Sequence, residues 1–279
     1  MPRYLPNKDF RARRRVLMQS DFGYAPKPLE RPNDRVEKAT WDSIVTLPDD
    51  VAVRTSNYHG ATLKQLGDLS GAWVECFGKA DDSLFPVMLD ASDDFQAATY
   101  MALTGYYRLS VSAIRSALEL IAIGAWAQVC SKHQEFAEWR AGRRQLSLRQ
   151  ACDGLIGGAQ DLESNLQQLI GDGLFAQKNA NGDGGFVRRM FSGISDFTHS
   201  RPGSTDGDMR ESNGPIYVRS AFQHVTWIQF EGFALCYVLA LLARPNLPAP
   251  PAILELFEDL SRAKSRATRA AFKVLRGEI

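Results

Sequence analysis

The chain has 279 residues, of which 44% are hydrophobic and 23% charged, and a formal net charge of +1. This composition excludes a wholly disordered chain. The near-zero charge excludes a global field that would draw in nucleic acid or an acidic substrate, so any electrostatic argument has to be local.

Residues 1–50 differ from the rest. Pro2, Pro6, Pro26, Pro28, Pro32 and Pro48 flank the basic run Arg11, Arg13, Arg14 and Arg15. Proline removes a backbone donor and restricts its predecessor, so the segment reads as an extended, basic arm with room for a short helix around 10–19. Residues 40–53 read as one or two short strands. The first residues, Met-Pro-Arg-Tyr-Leu-Pro, lack the apolar stretch of a secretory signal.

From about Gly60 the pattern is helical. Leu63, Leu66, Leu69, Trp73 and Phe77 recur at spacings of three and four. Asp81 or Asp82 can cap a short helix through Leu89, and Asp93 or Asp94 a longer one that runs without proline to Val129. On that helix Tyr107, Val111, Ile114, Leu118, Ile121, Ala125 and Val129 form one stripe. Ser110, Ala113, Ala117 and Gly124 form a row small enough for another helix to approach closely.

Shorter helices are predicted over 134–142, 148–156, 160–170 and 186–199, separated by glycine-rich loops at 171–185 and 201–215. Residues 217–243 form the second long helix, and 253–275 the last. Within the former, Trp227–Ala243 is apolar, but it is short for a bilayer and holds Gln229 and Glu231, so it reads as a core helix. The expected fold is all-α: an irregular helical bundle around two long central helices over 51–279, preceded by the Pro-rich arm.

Cys76, Cys130, Cys152 and Cys236 are isolated from one another, with no CxxC. They suggest neither a disulfide framework nor a zinc site, and they suit a reducing cytoplasm. The glycine loop from Asn179 mimics a calcium loop but places Met190 where a bidentate Glu is required. No phosphate-binding glycine motif is present, and no metal or other cofactor is expected.

Four polar groupings stand out. Arg108, Ser112, Arg115 and Glu119 share one helix face, which is either an ordinary solvated edge or, if buried, a cluster that must be internally paired. Asp196 and His199 follow Ser195 near a helix end, where the imidazole can bond the last carbonyls and contact the Arg115–Glu119 face. Arg219 and His224 form an R-x4-H at the start of the second long helix, and Arg54 and His59 form another outside the bundle. Arginine can hold a phosphate while histidine moves a proton, as cleavage of RNA through its 2′-hydroxyl requires. Residues five apart on a helix diverge by about 140°, however, so a chance match is the simpler reading. On the last helix Arg262, Arg266, Arg269, Lys273 and Arg276 repeat at four and three. That basic stripe is either a solvated face or a surface for RNA or an acidic protein, together with the arm.

The run from Tyr107 to Glu119, the run from Phe191 to His199 and the R-x4-H at Arg219–His224 together resemble the HEPN-like helical proteins of bacterial defence and toxin systems. The resemblance spans about residues 95–243 and its motifs are loose. It implies a metal-independent endoribonuclease or an RNA-binding protein, often a homodimer, acting in the cytoplasm and not in a membrane. Ser220 stands where the family usually has Asn, Asp or His, and Ile194 where an arginine would precede His199. Both departures suit a non-catalytic member. The alternative is a non-enzymatic scaffold or regulatory subunit that docks a partner through its basic terminal segments.

Overall fold

The computed structural model describes residues 38–77, 82–176, 184–198 and 215–279. Residues 1–37 of the Pro-rich arm with the arginines at 11–15, residues 177–183 of the glycine-rich loop, residues 201–214 of the second loop and His199 lie outside them. The chain divides between Leu47 and Pro48 into two units. In the first, the described residues form helix α1 (Lys38–Trp41) and a π-helical turn (Asp42–Thr46).

The second unit is all-α among its described residues, as the hydrophobic periodicity predicts. Helix α2 (Leu47–Glu75) begins earlier than expected and replaces the short strands read over 40–53. Proline is tolerated in a first helical turn, and Asp49 and Asp50 lie at the end that favours negative charge. These local signals override the β-branched run. Helix α2 is kinked at His59, where φ is −132° and ψ is 24°.

Helix α3 (Leu84–Leu103) is capped by Asp82, whose carboxylate accepts the Phe85 N–H at 2.7 Å. Asp93 and Asp94 therefore lie inside a helix and cap nothing. The single helix expected over 94–129 is instead two. Thr104, Gly105 and Tyr106 turn the chain into helix α4 (Tyr107–Val129). Gly105 adopts φ +85°, and a Cβ there would stand 2.5 Å from the Ile216 carbonyl oxygen. Only glycine combines that backbone with that contact.

Helices α3 and α4 pair along their lengths. The small row on α4 makes this close: Gly124 faces Val87, and a Cβ at Gly124 would collide with it. Helices α5 (His133–Arg140), α6 (Leu148–Gly158), α7 (Gln160–Ile170) and α8 (Phe186–Thr198) follow. Ser147 and Gln150 form a reciprocal capping box at the start of α6.

Helix α9 (Arg219–Ala243) crosses the bundle against α3, α4, α10 (Pro251–Glu258) and α11 (Arg266–Leu275). Among the described residues α4 and α9 are long and apolar enough to cross a membrane, and 89% of the most apolar stretch of α9 is buried inside the bundle. The Gln229 side chain is bonded within the bundle. The Gln229 amide donates to the Ala98 carbonyl at 3.0 Å and to Ser110 Oγ at 2.7 Å.

The helix expected over 253–275 is also two. The Asp259 carboxylate accepts both the N–H and the hydroxyl of Ser261 and ends α10, and Ser265 caps α11 through the Thr268 N–H. Local side-chain capping overrides a pattern that periodicity alone would continue. Phe257 and Phe272 then stack at 3.9 Å across the break.

Candidate functional site

The face of α4 proposed as a polar cluster is half-buried and internally bonded. Arg115 Nε donates to Ser195 Oγ at 3.0 Å, and its guanidinium lies 4.5 Å above the Phe191 ring, so it ties α4 to α8. Glu119 is 4.0 Å from Arg115 and accepts the Leu148 N–H at the start of α6, at 3.4 Å. Arg108, half-buried two turns earlier, gives its carbonyl to the Ser112 hydroxyl. The Asp196 side chain and His199 lie outside the described residues. What is described of this group is a junction of three helices.

A second grouping forms where the kink of α2 meets the start of α9. Pro215 and the extended residues 216–218 lead into α9 across the α3–α4 turn, against Gly105. The buried Tyr107 hydroxyl accepts the Val218 N–H at 3.0 Å and fixes this segment. Tyr217 is thereby brought to α2, where its hydroxyl lies 3.0 Å from His59 Nε2.

Four rings from two distant stretches make one column. Phe222, fully buried, stacks on His59 at 4.3 Å. His59 lies 6.0 Å from Tyr217, tilted by 40°. Tyr217 stacks on Tyr58 at 5.6 Å with 19° between planes. Tyr58 ends the column at the surface, 70% exposed.

Two arginines lie in the segments that build the column. Arg54 is exposed one helical turn before Tyr58, hence on the same face of α2. Arg219 is exposed at the first position of α9. Burial, and then the positive charge of Arg219, hold the His59 imidazole below its ordinary pKa. Both effects favour the neutral ring.

The two R-x4-H stretches thus meet, but not as two separate pairs. Arg219 acts on His59. His224, on the same regular helix as Arg219, keeps the ~140° divergence expected from the helical repeat. It is half-buried, with its ring edge-on to Trp227 at 5.8 Å. Spacing drew attention to Arg54, His59 and Arg219. It gave no signal for Tyr58, Tyr217 or Phe222, whose proximity exists only in three dimensions.

The basic stripe is divided by the α10–α11 break. Arg262 falls outside α11, is 15% exposed, and pairs with Asp259 at 2.9 Å. Arg276 pairs with Glu278 at 2.8 Å and lies over Phe272. Arg269 is half-buried near Glu231, whereas Arg266 and Lys273 are exposed.

Burial pushes the thiols of Cys76 and Cys152 up to about 12. Among the described residues no three His, Cys, Asp or Glu side chains are grouped to hold a metal ion. Compared with protein-family models, with curated proteins and with solved structures, the chain matches none.

Proposed function

We propose that this chain is a HEPN-like helical protein that binds RNA at the corner between the α2 kink and the start of α9. The carrying observation is the approach of Arg219 to His59 from a distant segment, with Arg54 exposed one helical turn before Tyr58 on α2. Exposed guanidinium groups suit phosphate oxygens, and a neutral imidazole beside them can accept or donate a hydrogen bond. The setting implied by the HEPN-like resemblance is a cytoplasmic stress or defence system, with the chain acting as a homodimer.

The test is a titration of a short labelled RNA followed by anisotropy. Replacing Arg54 and Arg219 together by Gln is expected to weaken binding about tenfold near 0.1 M salt and to flatten the salt dependence. Absence of salt-sensitive binding by the unaltered protein sinks the reading. Cleavage is a separate question. Incubation of RNA with the unaltered protein and with His224→Ala decides it, since a nuclease built on Arg219 and His224 loses activity in the variant.

The scaffold reading draws on exposed Arg266 and Lys273 on α11. Its measure is partner recovery after both are changed to Gln.

A further inference from the structure

Resting on the RNA reading above, we propose that the Tyr58 end of the ring column is a stacking site for an unpaired base of single-stranded RNA, with Arg54 and Arg219 holding the neighbouring phosphates.

The argument starts from the column. Phe222 anchors it in the core, with no exposed surface. His59 and Tyr217 are fixed by their mutual hydrogen bond, by the Tyr107 bond to the Val218 N–H, and by contact of Ile216 with Gly105. Tyr58 is stacked nearly parallel on Tyr217. A tyrosine on a mobile surface turn would lose rotamer freedom on receiving a base. A tyrosine already stacked on a fixed ring has less to lose, so the platform is pre-organised.

Chemistry selects the occupant. Every base presents a π-face, and stacking on an aromatic side chain tolerates any sequence. A base in a duplex has both faces covered, and the deep, narrow major groove of A-form RNA admits no side chain to its bases. The ring therefore demands an unstacked base, while Arg54 and Arg219 demand the anionic backbone that carries it. An apolar protein surface would satisfy Tyr58 but would leave two exposed guanidinium groups without an anionic partner.

The experiment uses the full chain and three probes of equal length: an unstructured single-stranded RNA, the same RNA annealed to its complement, and an abasic strand with the same phosphates. The single strand is expected to bind about tenfold or more tighter than the other two. Tyr58→Ala is expected to lose about fivefold to a hundredfold on the single strand and little on the duplex or abasic strand. Tyr58→Phe keeps the ring and is expected to bind like the unaltered protein. Because Tyr58 is exposed, the alanine variant should fold, and its circular dichroism verifies this.

Equal affinity for single strand and abasic strand, or a Tyr58→Ala variant that binds the single strand normally, overturns the stacking site while the RNA reading stands. Failure of all three probes to bind overturns both.

Discussion

Glu231 lies in the long apolar helix α9, and only 2% of it is exposed. One carboxylate oxygen accepts the Ser265 N–H at 2.8 Å, just before α11; the other has no partner among the described residues. Burial raises its pKa above the ordinary carboxylate value, and the backbone bonds from Ser265 and Lys264 and the charge of Arg269 pull it partway back. An acid whose pKa is raised on folding is bound by protons more tightly in the native state. Its contribution to stability is therefore fully present below the unfolded value, about 4.3, and is lost as pH rises through the folded value. Glu231→Gln keeps an acceptor and removes the titration. The difference in melting temperature between E231Q and the unaltered chain should widen in favour of the variant as pH rises from about 4 to 7. Glu231→Ala removes the acceptor of the part-buried Ser265 N–H and should destabilise by about 1–3 kcal/mol, measurable by denaturant unfolding.

At the scale of elements, the short turn between α3 and α4 decides the shape of the corner. Gly105→Ala must accommodate a positive φ and a Cβ against the Ile216 carbonyl oxygen. A destabilisation of about 1–3 kcal/mol follows from the strained backbone alone, and more if Ile216 has to shift. Because Ile216 adjoins Tyr217, the same variant should weaken RNA binding, whereas a change at a distant glycine such as Gly157 should not. This turn also shows why element boundaries were harder to read than elements. The helices read over 148–156 and 160–170 agree with α6 and α7 to within two residues, and the bulk of α9 follows from its apolar composition. No proline marks the break at Gly105, and the break at Asp259–Ser265 interrupts an apolar pattern that continues across it. What ends the helices is one left-handed glycine in the first case and two capping side chains in the second. The candidate site was legible to the same extent. Arg219 and the Arg54–His59 spacing are local features. The joining of His59 to Tyr217 and Phe222 depends on how α2 and α9 pack, and no spacing within either segment encodes it.

For the molecule as a whole, α9 is the axis around which the second unit is built. Arg244, just past its end, pairs with Asp82 and donates to the Cys76 carbonyl, so the far end of α9 is tied to the start of α3. Cys76 and Cys152 lie in the resulting core. With pKa values of about 12, their thiolate fraction at pH 8 is small. Alkylation of these two in the native protein should be slower than that of a free thiol by on the order of a thousandfold, and mass spectrometry after timed labelling reads this directly. Rapid modification of Cys152 without denaturant would show that the core opens locally. The labelling rate is thus a gauge of how cooperatively the unit unfolds.

The corner that carries the proposed site is assembled from three stretches, around Tyr58, Gly105 and Tyr217. A ribosome delivers them in that order, with more than a third of the chain between the second and the third. Until Tyr217 has emerged and α9 has docked, a growing chain presents Tyr58 without the ring beneath it and Arg54 without Arg219. On the proposed reading, competence for the nucleic acid would then arrive late in synthesis and all at once.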